Sequence, residues 1–168
     1  DSAVPDGRWA GGAKEYADVL GALDWLVAQG HDPARIGLYG SSMGAATAAI
    51  AFGEEPRIAA LFADSLPADM AVMIREYAES VGYPAWVGDA AVPAAHLLGD
   101  PSVGTKSPDD ELAATLGHRP LSLVQGLADV IVRPHHAIEI AAVAAAAGAP
   151  FELRLVPRAA HTESLFLE

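Results

Sequence analysis

At 168 residues the chain is long enough for one domain with a substantial core. Its formal net charge of -12, from 22 acidic against 10 basic residues, excludes a nucleic-acid binder, which needs a basic stripe, and disfavours anionic membrane surfaces. With no cysteine, disulfides, thiolate chemistry and Cys-ligated zinc drop out. The longest uncharged apolar run, Ile140 to Phe151, is too short to span a bilayer. No charged segment followed by a hydrophobic stretch opens the chain, so the cytoplasm is the expected location.

Tyr16, Val19, Leu20, Leu23 and Val27 recur at helical spacing and Gly30 supplies a stop, which predicts an amphipathic helix over 13–29. Asp32-Pro33 makes a turn. Arg35 to Tyr39 reads as a short buried strand, and Ser42 to Phe52 as an alanine-rich helix ended by Gly53. Ile58 to Ala63 and Leu121 to Gln125 are two further buried strands. Ala137 to Ala147 is a helix closed by Gly148 and Pro150. In the last strand, Phe151 to Val156, apolar Phe151, Leu153 and Leu155 alternate with Glu152 and Arg154, as suits a sheet edge with one wet face. Strands alternating with helices imply a parallel β-sheet flanked by helices, the α/β class.

Residues 66–118 interrupt this rhythm between the second and third strands, where a simple crossover needs about a dozen residues. Met70, Met73, Ile74 and Tyr77 sit at helical spacing, and Ser107-Pro108 has the form of a cap followed by proline at the first helical position. The segment reads as a helical excursion packed on the sheet or, more sharply, as a lid over the strand ends, with Tyr83 and Trp86 as candidate substrate-binding aromatics.

"GLYGSSMGAA", Gly37 to Ala46, places Ser42 between Gly40 and Gly44 in a G-x-S-x-G pattern, after an apolar strand and at the head of a helix. That is the context of a nucleophile elbow, whose sharp turn demands small residues two positions away on each side. The plainer alternative is a Gly/Ser turn in which Ser41 or Ser42 caps the helix. A serine hydroxyl needs a general base, and the base an orienting carboxylate. Asp129 follows the third strand in "LVQGLADVIVRP" and His161 follows the fourth in "LRLVPRAAHTES", giving the order Ser42, Asp129, His161.

On "GLYGSSMGAA", "LFADS", "LVQGLADVIVRPHHA" and "VPRAAHTESL" the chain resembles the C-terminal part of an α/β-hydrolase, close to the bacterial esterase and serine-peptidase-like branch, from about Gly11 to the end. The resemblance implies Ser42 as nucleophile, Asp129 as acid and His161 as base. Serine rather than cysteine at the elbow separates the chain from dienelactone hydrolases. Asp64, at the end of the second strand, competes with Asp129, since some members of the superfamily place the acid there. Among the histidines, His135 and His136 open a helix after Pro134 and read as surface residues, while His31, His96 and His118 have no matching context. No histidine and carboxylate grouping has metal spacing such as H-x-x-x-H, so neither a metal nor another cofactor is expected.

One oxyanion donor should be the backbone N–H of Met43, the residue after the nucleophile. The second normally comes from a loop after an early strand, and the resemblance implies a partial fold lacking those N-terminal strands. Losing one donor costs roughly 10²- to 10³-fold in rate. An apolar strand left at the sheet edge would pair with another chain, so dimerisation, swapping or aggregation is expected. The expected function is a serine hydrolase acting on small-molecule carboxylic esters. A peptidase, thioesterase or acyltransferase on the same triad is the second expectation, and a non-catalytic fragment that pairs through its edge is the third.

Overall fold

The computed structural model describes residues 9–167. Four strands, β1 (Gly37–Ser41), β2 (Ala60–Asp64), β3 (Leu121–Gly126) and β4 (Phe151–Val156), form one parallel sheet in the order β1-β2-β3-β4. Six helices accompany it: α1 (Tyr16–Ala28), α2 (Met43–Glu54), α3 (Met70–Ser80), α4 (Ala85–Leu98), α5 (Pro108–Thr115) and α6 (Pro134–Ala147). Parallel strands need crossovers, and α2 and α6 provide the short ones. Among the described residues no helix is long and apolar enough to cross a membrane.

The core lies between one sheet face, with Leu61, Ala63, Leu121 and Leu123, and the inner sides of α2, α5 and α6, with Ala45, Ala49, Phe52, Leu112 and Ile140. The alanines of α2 let that helix sit close on the strands. Gly53 lies inside α2, whereas the sequence suggested a stop there. A Cβ on it would stand 2.9 Å from the Glu111 Cβ, so this glycine serves the close approach of α2 to α5. Gly148 does terminate α6, in the left-handed conformation at φ 67°.

Two strands are displaced from their predicted bounds. Asp32 accepts a hydrogen bond from the Ala34 amide and Pro33 opens a short 3-10 turn, so Pro33–Arg35 is helical and β1 runs from Gly37 to Ser41. Its register against β2 pairs Gly40 with Ala63 and Ser41 with Asp64, which keeps both residues extended and moves β2 to Ala60–Asp64. β4 has the predicted bounds but not the predicted dry face: Phe151 is 43% and Leu155 39% exposed, because only Leu153 of the apolar set packs on the core.

The 66–118 excursion divides into two parts. Asp69 caps α3 by accepting from the amides of Ala71 and Val72, and α3 packs on α4. α5 is instead part of the main body, with Leu112 and Leu116 buried in the principal core. Ser107 holds the predicted N-cap position before Pro108 but makes no side-chain cap; Asp109, Asp110 and Glu111 complement the helix dipole there.

Candidate active site

Ser42 lies between the end of β1 and the first residue of α2, at φ 55° and ψ -124°. A non-glycine residue at positive φ is strained, and it persists here because both flanking elements are fixed. Gly40 permits the turn: a Cβ there would stand 2.6 Å from the Gly44 carbonyl carbon and 2.7 Å from the Ala45 Cα. The expected need for a small residue at position 44 does not hold, since a Cβ on Gly44 would meet nothing within 4 Å. It is the Gly44 backbone, not its missing side chain, that crowds Gly40. Although Ser42 occupies the N-cap position, its side chain makes no cap bond.

Its hydroxyl turns instead to His161, with Oγ 2.7 Å from Nε2. The opposite ring nitrogen, Nδ1, is 2.8 Å from Asp129 Oδ2. A carboxylate only accepts, so the imidazole proton sits on Nδ1 and Nε2 is free to accept from the serine hydroxyl. Asp129 is 3% exposed and fully engaged: Oδ1 accepts from the amides of Ile131 and Val132, each at 2.9 Å, and Oδ2 also accepts from Gln125 Nε2 at 3.3 Å. Burial works to raise its carboxyl, but the bonds from His161, Val132 and Ile131 outweigh burial and hold it below the ordinary carboxylate range. The structure thus brings Ser42, Asp129 and His161 into one hydrogen-bonded line, delivered by the carboxyl ends of β1, β3 and β4.

Gln125 was not anticipated as part of this arrangement. It is fully buried in β3, and its amide also donates to the Val132 carbonyl at 3.0 Å, closing the loop that carries Asp129. The signal available in the sequence is an amide side chain at the end of an otherwise mostly apolar strand, just before the acid loop. Asp64, the competing acid, is 1% exposed and bonded to hydroxyls, Ser65 Oγ at 3.2 Å and Ser41 Oγ at 3.5 Å, rather than to His161.

The Met43 N–H is the first amide of α2, so no carbonyl lies four residues before it within the helix. Its side chain is touched by the Trp9 indole N–H, which places another aromatic ring beside the elbow. Trp9 is held by a compact turn in which Glu15 accepts from the amides of Ala10 and Gly12 at 2.8 and 2.9 Å. Tyr83 and Trp86 flank the start of α4 and are 59% and 68% exposed; among the described residues neither is hydrogen-bonded or stacked onto Ser42, Asp129 or His161. An apolar hollow lined by Leu38, Leu61, Pro120, Leu121 and Phe151 lies at the amino ends of the strands, away from the triad.

The remaining histidines lie outside this line. His96 contacts the Val103 carbonyl at 2.7 Å and His118 the Gly148 carbonyl at 3.2 Å, while His31 lies by the 3-10 turn. His136, expected at the surface, is completely buried, with its ring held between the Ala68 amide and the Glu76 carboxylate. With His135 and Glu76 it forms a cluster that their separation in sequence concealed. The Ala68 amide donates to His136 Nδ1 at 3.2 Å, so the ring proton of the neutral imidazole sits on Nε2, facing Glu76 Oε2 at 3.4 Å. A protonated Nε2 has no lone pair for a cation.

Residues 6–165 match the prolyl oligopeptidase family, and the chain belongs to it. The fold is that of the α/β-hydrolase superfamily, in its serine hydrolase branch. A puromycin-hydrolyzing peptidase from Mycobacterium tuberculosis is similar in structure, with a TM-score of 0.72 at 22% identity over 92% of this chain and 23% of that one. An acylaminoacyl peptidase from Pyrococcus horikoshii gives 0.71 at 17% identity, covering 91% of this chain and 24% of that one. An esterase from Pyrococcus furiosus gives 0.63 at 24% identity, covering 91% and 56%. The chain therefore spans about a quarter of the length of those peptidases and just over half of that esterase. A comparison with curated proteins gave no match.

Proposed function

We propose that this chain carries the catalytic centre of a serine hydrolase that cleaves carboxylic esters through an acyl-enzyme. The single observation behind this is His161, which bridges Ser42 Oγ at 2.7 Å and Asp129 Oδ2 at 2.8 Å.

His161 Nε2 takes the Ser42 proton as Oγ attacks the substrate carbonyl carbon. The carbonyl π electrons move to oxygen, and the oxyanion accepts a hydrogen bond from the Met43 N–H. Asp129 holds the imidazolium through Nδ1. As the tetrahedral intermediate collapses, the bond to the leaving group breaks and Nε2–H protonates the departing oxygen. Water then enters, gives one proton to Nε2, and attacks the acyl carbon. Collapse of the second intermediate releases the acid and returns that proton to Ser42 Oγ.

Family membership favours a second reading, in which the bond cleaved is a peptide or amide and the leaving atom is nitrogen. The same proton on Nε2 would serve it. Incubation with a fluorophosphonate probe, followed by intact mass, tests the shared step. One adduct that disappears in Ser42→Ala is the expected result, and a folded chain with no adduct would overturn both readings. Turnover of p-nitrophenyl acyl esters against aminoacyl p-nitroanilides separates them: ester cleavage without anilide cleavage supports the first.

A further inference from the structure

We propose that Ser65 is a positioning residue for His161, holding the backbone that carries the imidazole over Ser42; this rests on the reading of Ser42 and His161 as nucleophile and base. Ser65 follows the last residue of β2, is completely buried, and sits at φ 52°. Its N–H donates to the Val124 carbonyl at 3.0 Å, so its position is fixed by β3. Its hydroxyl proton is committed to Asp64 Oδ1 at 3.2 Å, since a carboxylate only accepts. The oxygen's lone pairs are then free for the Thr162 N–H, at 3.3 Å.

Thr162 is the residue directly after His161, and it too lies in the left-handed region, at φ 61°. A β-branched residue stays there only when its surroundings hold it. On the other side of His161, the Ala159 carbonyl accepts from the Ala128 amide at 3.0 Å. The histidine is therefore pinned from both flanks, to the acid loop before it and to the end of β2 after it. Asp64 also takes the Ser41 hydroxyl at 3.5 Å. A hydrogen-bonded chain thus runs from the residue before Ser42, through Asp64 and Ser65, to the residue after His161. This gives Asp64 a task distinct from that of Asp129: it fixes the direction of the Ser65 hydroxyl.

Glycine separates a hydroxyl role from a purely conformational one, because it accepts positive φ without strain while removing the hydroxyl, and with it both the bond to Asp64 and the acceptor for Thr162. In Ser65→Gly we expect Ser42 to react with the fluorophosphonate probe about 10-fold more slowly, with kcat on a p-nitrophenyl ester falling by a similar factor and KM nearly constant. Labelling at the wild-type rate by folded Ser65→Gly would overturn the proposal while leaving the triad reading intact. Wild-type protein that fails to label would remove both together. Should Ser65→Gly fail to fold, amide exchange of the wild-type chain decides: the Thr162 N–H should exchange at least about 10-fold more slowly than an unstructured amide, and free exchange would overturn the proposal.

Discussion

The carbonyl of Ala159 leans directly over Gly126, at the end of β3: a Cβ on that glycine would stand 2.8 Å from the Ala159 carbonyl carbon and 2.9 Å from the Ala160 oxygen. The strand that leads to Asp129 and the loop that carries His161 are in contact because position 126 has no side chain.

Gly126→Ala should therefore separate the acid loop from the base loop. Both obstructing groups are backbone, so the adjustment is a shift of the His161 loop rather than a rotamer change. A displacement of about 1 Å costs on the order of 10²-fold in rate, and overpacking of this kind destabilises by roughly 1–3 kcal/mol. Steady-state turnover of a p-nitrophenyl ester and thermal unfolding of the variant measure the two effects.

The elbow glycines should behave oppositely. In Gly40→Ala the new methyl meets the Gly44 carbonyl and the Ala45 Cα, so labelling of Ser42 should fall by at least about 10²-fold. Gly44→Ala adds a methyl in open space within the first turn of α2 and should gain up to about 1 kcal/mol of helix stability. Equal damage from the two substitutions, seen in chemical denaturation and probe labelling, would contradict this asymmetry.

His135 and His136 should leave opposite pH signatures on stability. Burial lowers His135, but hydrogen bonds to Glu76 and Glu139 outweigh it and raise the group above its ordinary value. Its contribution is then full below about pH 6.5 and fades as pH rises through the raised value. For His136, burial and then the neighbouring His135 charge lower the value despite Glu76, Glu139 and Asp69. Its contribution is present above about pH 6.5 and is lost as pH falls towards the lowered one. Arg133 faces the same carboxylate, at 3.6 Å from Glu76 Oε1. Across pH 5 to 9, the melting temperature deficit of His135→Gln should be greatest at the acid end and that of His136→Gln at the alkaline end.

The sequence made the architecture legible where local chemistry and burial agree. The spacing of Tyr16, Leu20, Leu23 and Val27, the apolar runs of β2 and β3, and Gly148 after α6 each carried their own punctuation. Errors arose where a residue has two uses. Gly53 looked like a helix stop because its close neighbour, Glu111, is distant in sequence. Of the site, Ser42, Asp129 and His161 could be placed together because each follows a strand. Gln125, Ser65 and the burial of His136 could not, since each depends on partners that only tertiary packing supplies. The Trp9 ring beside the elbow is equally hidden in the sequence, because its contact is with Met43, 34 positions away.

The sheet is built in sequence order, and β3 and β4 are matched residue for residue from Leu121 with Phe151 to Gly126 with Val156. A slip of one residue would carry the His161 loop along the strand axis by about 3.3 Å and turn the β4 side chains to the other face. Hydrogen bonds do not stretch that far. Serine titration with a covalent probe is consequently a gauge of strand alignment: in a preparation whose circular dichroism reports the full helix and strand content, the reactive fraction counts the molecules whose sheet has zipped in frame.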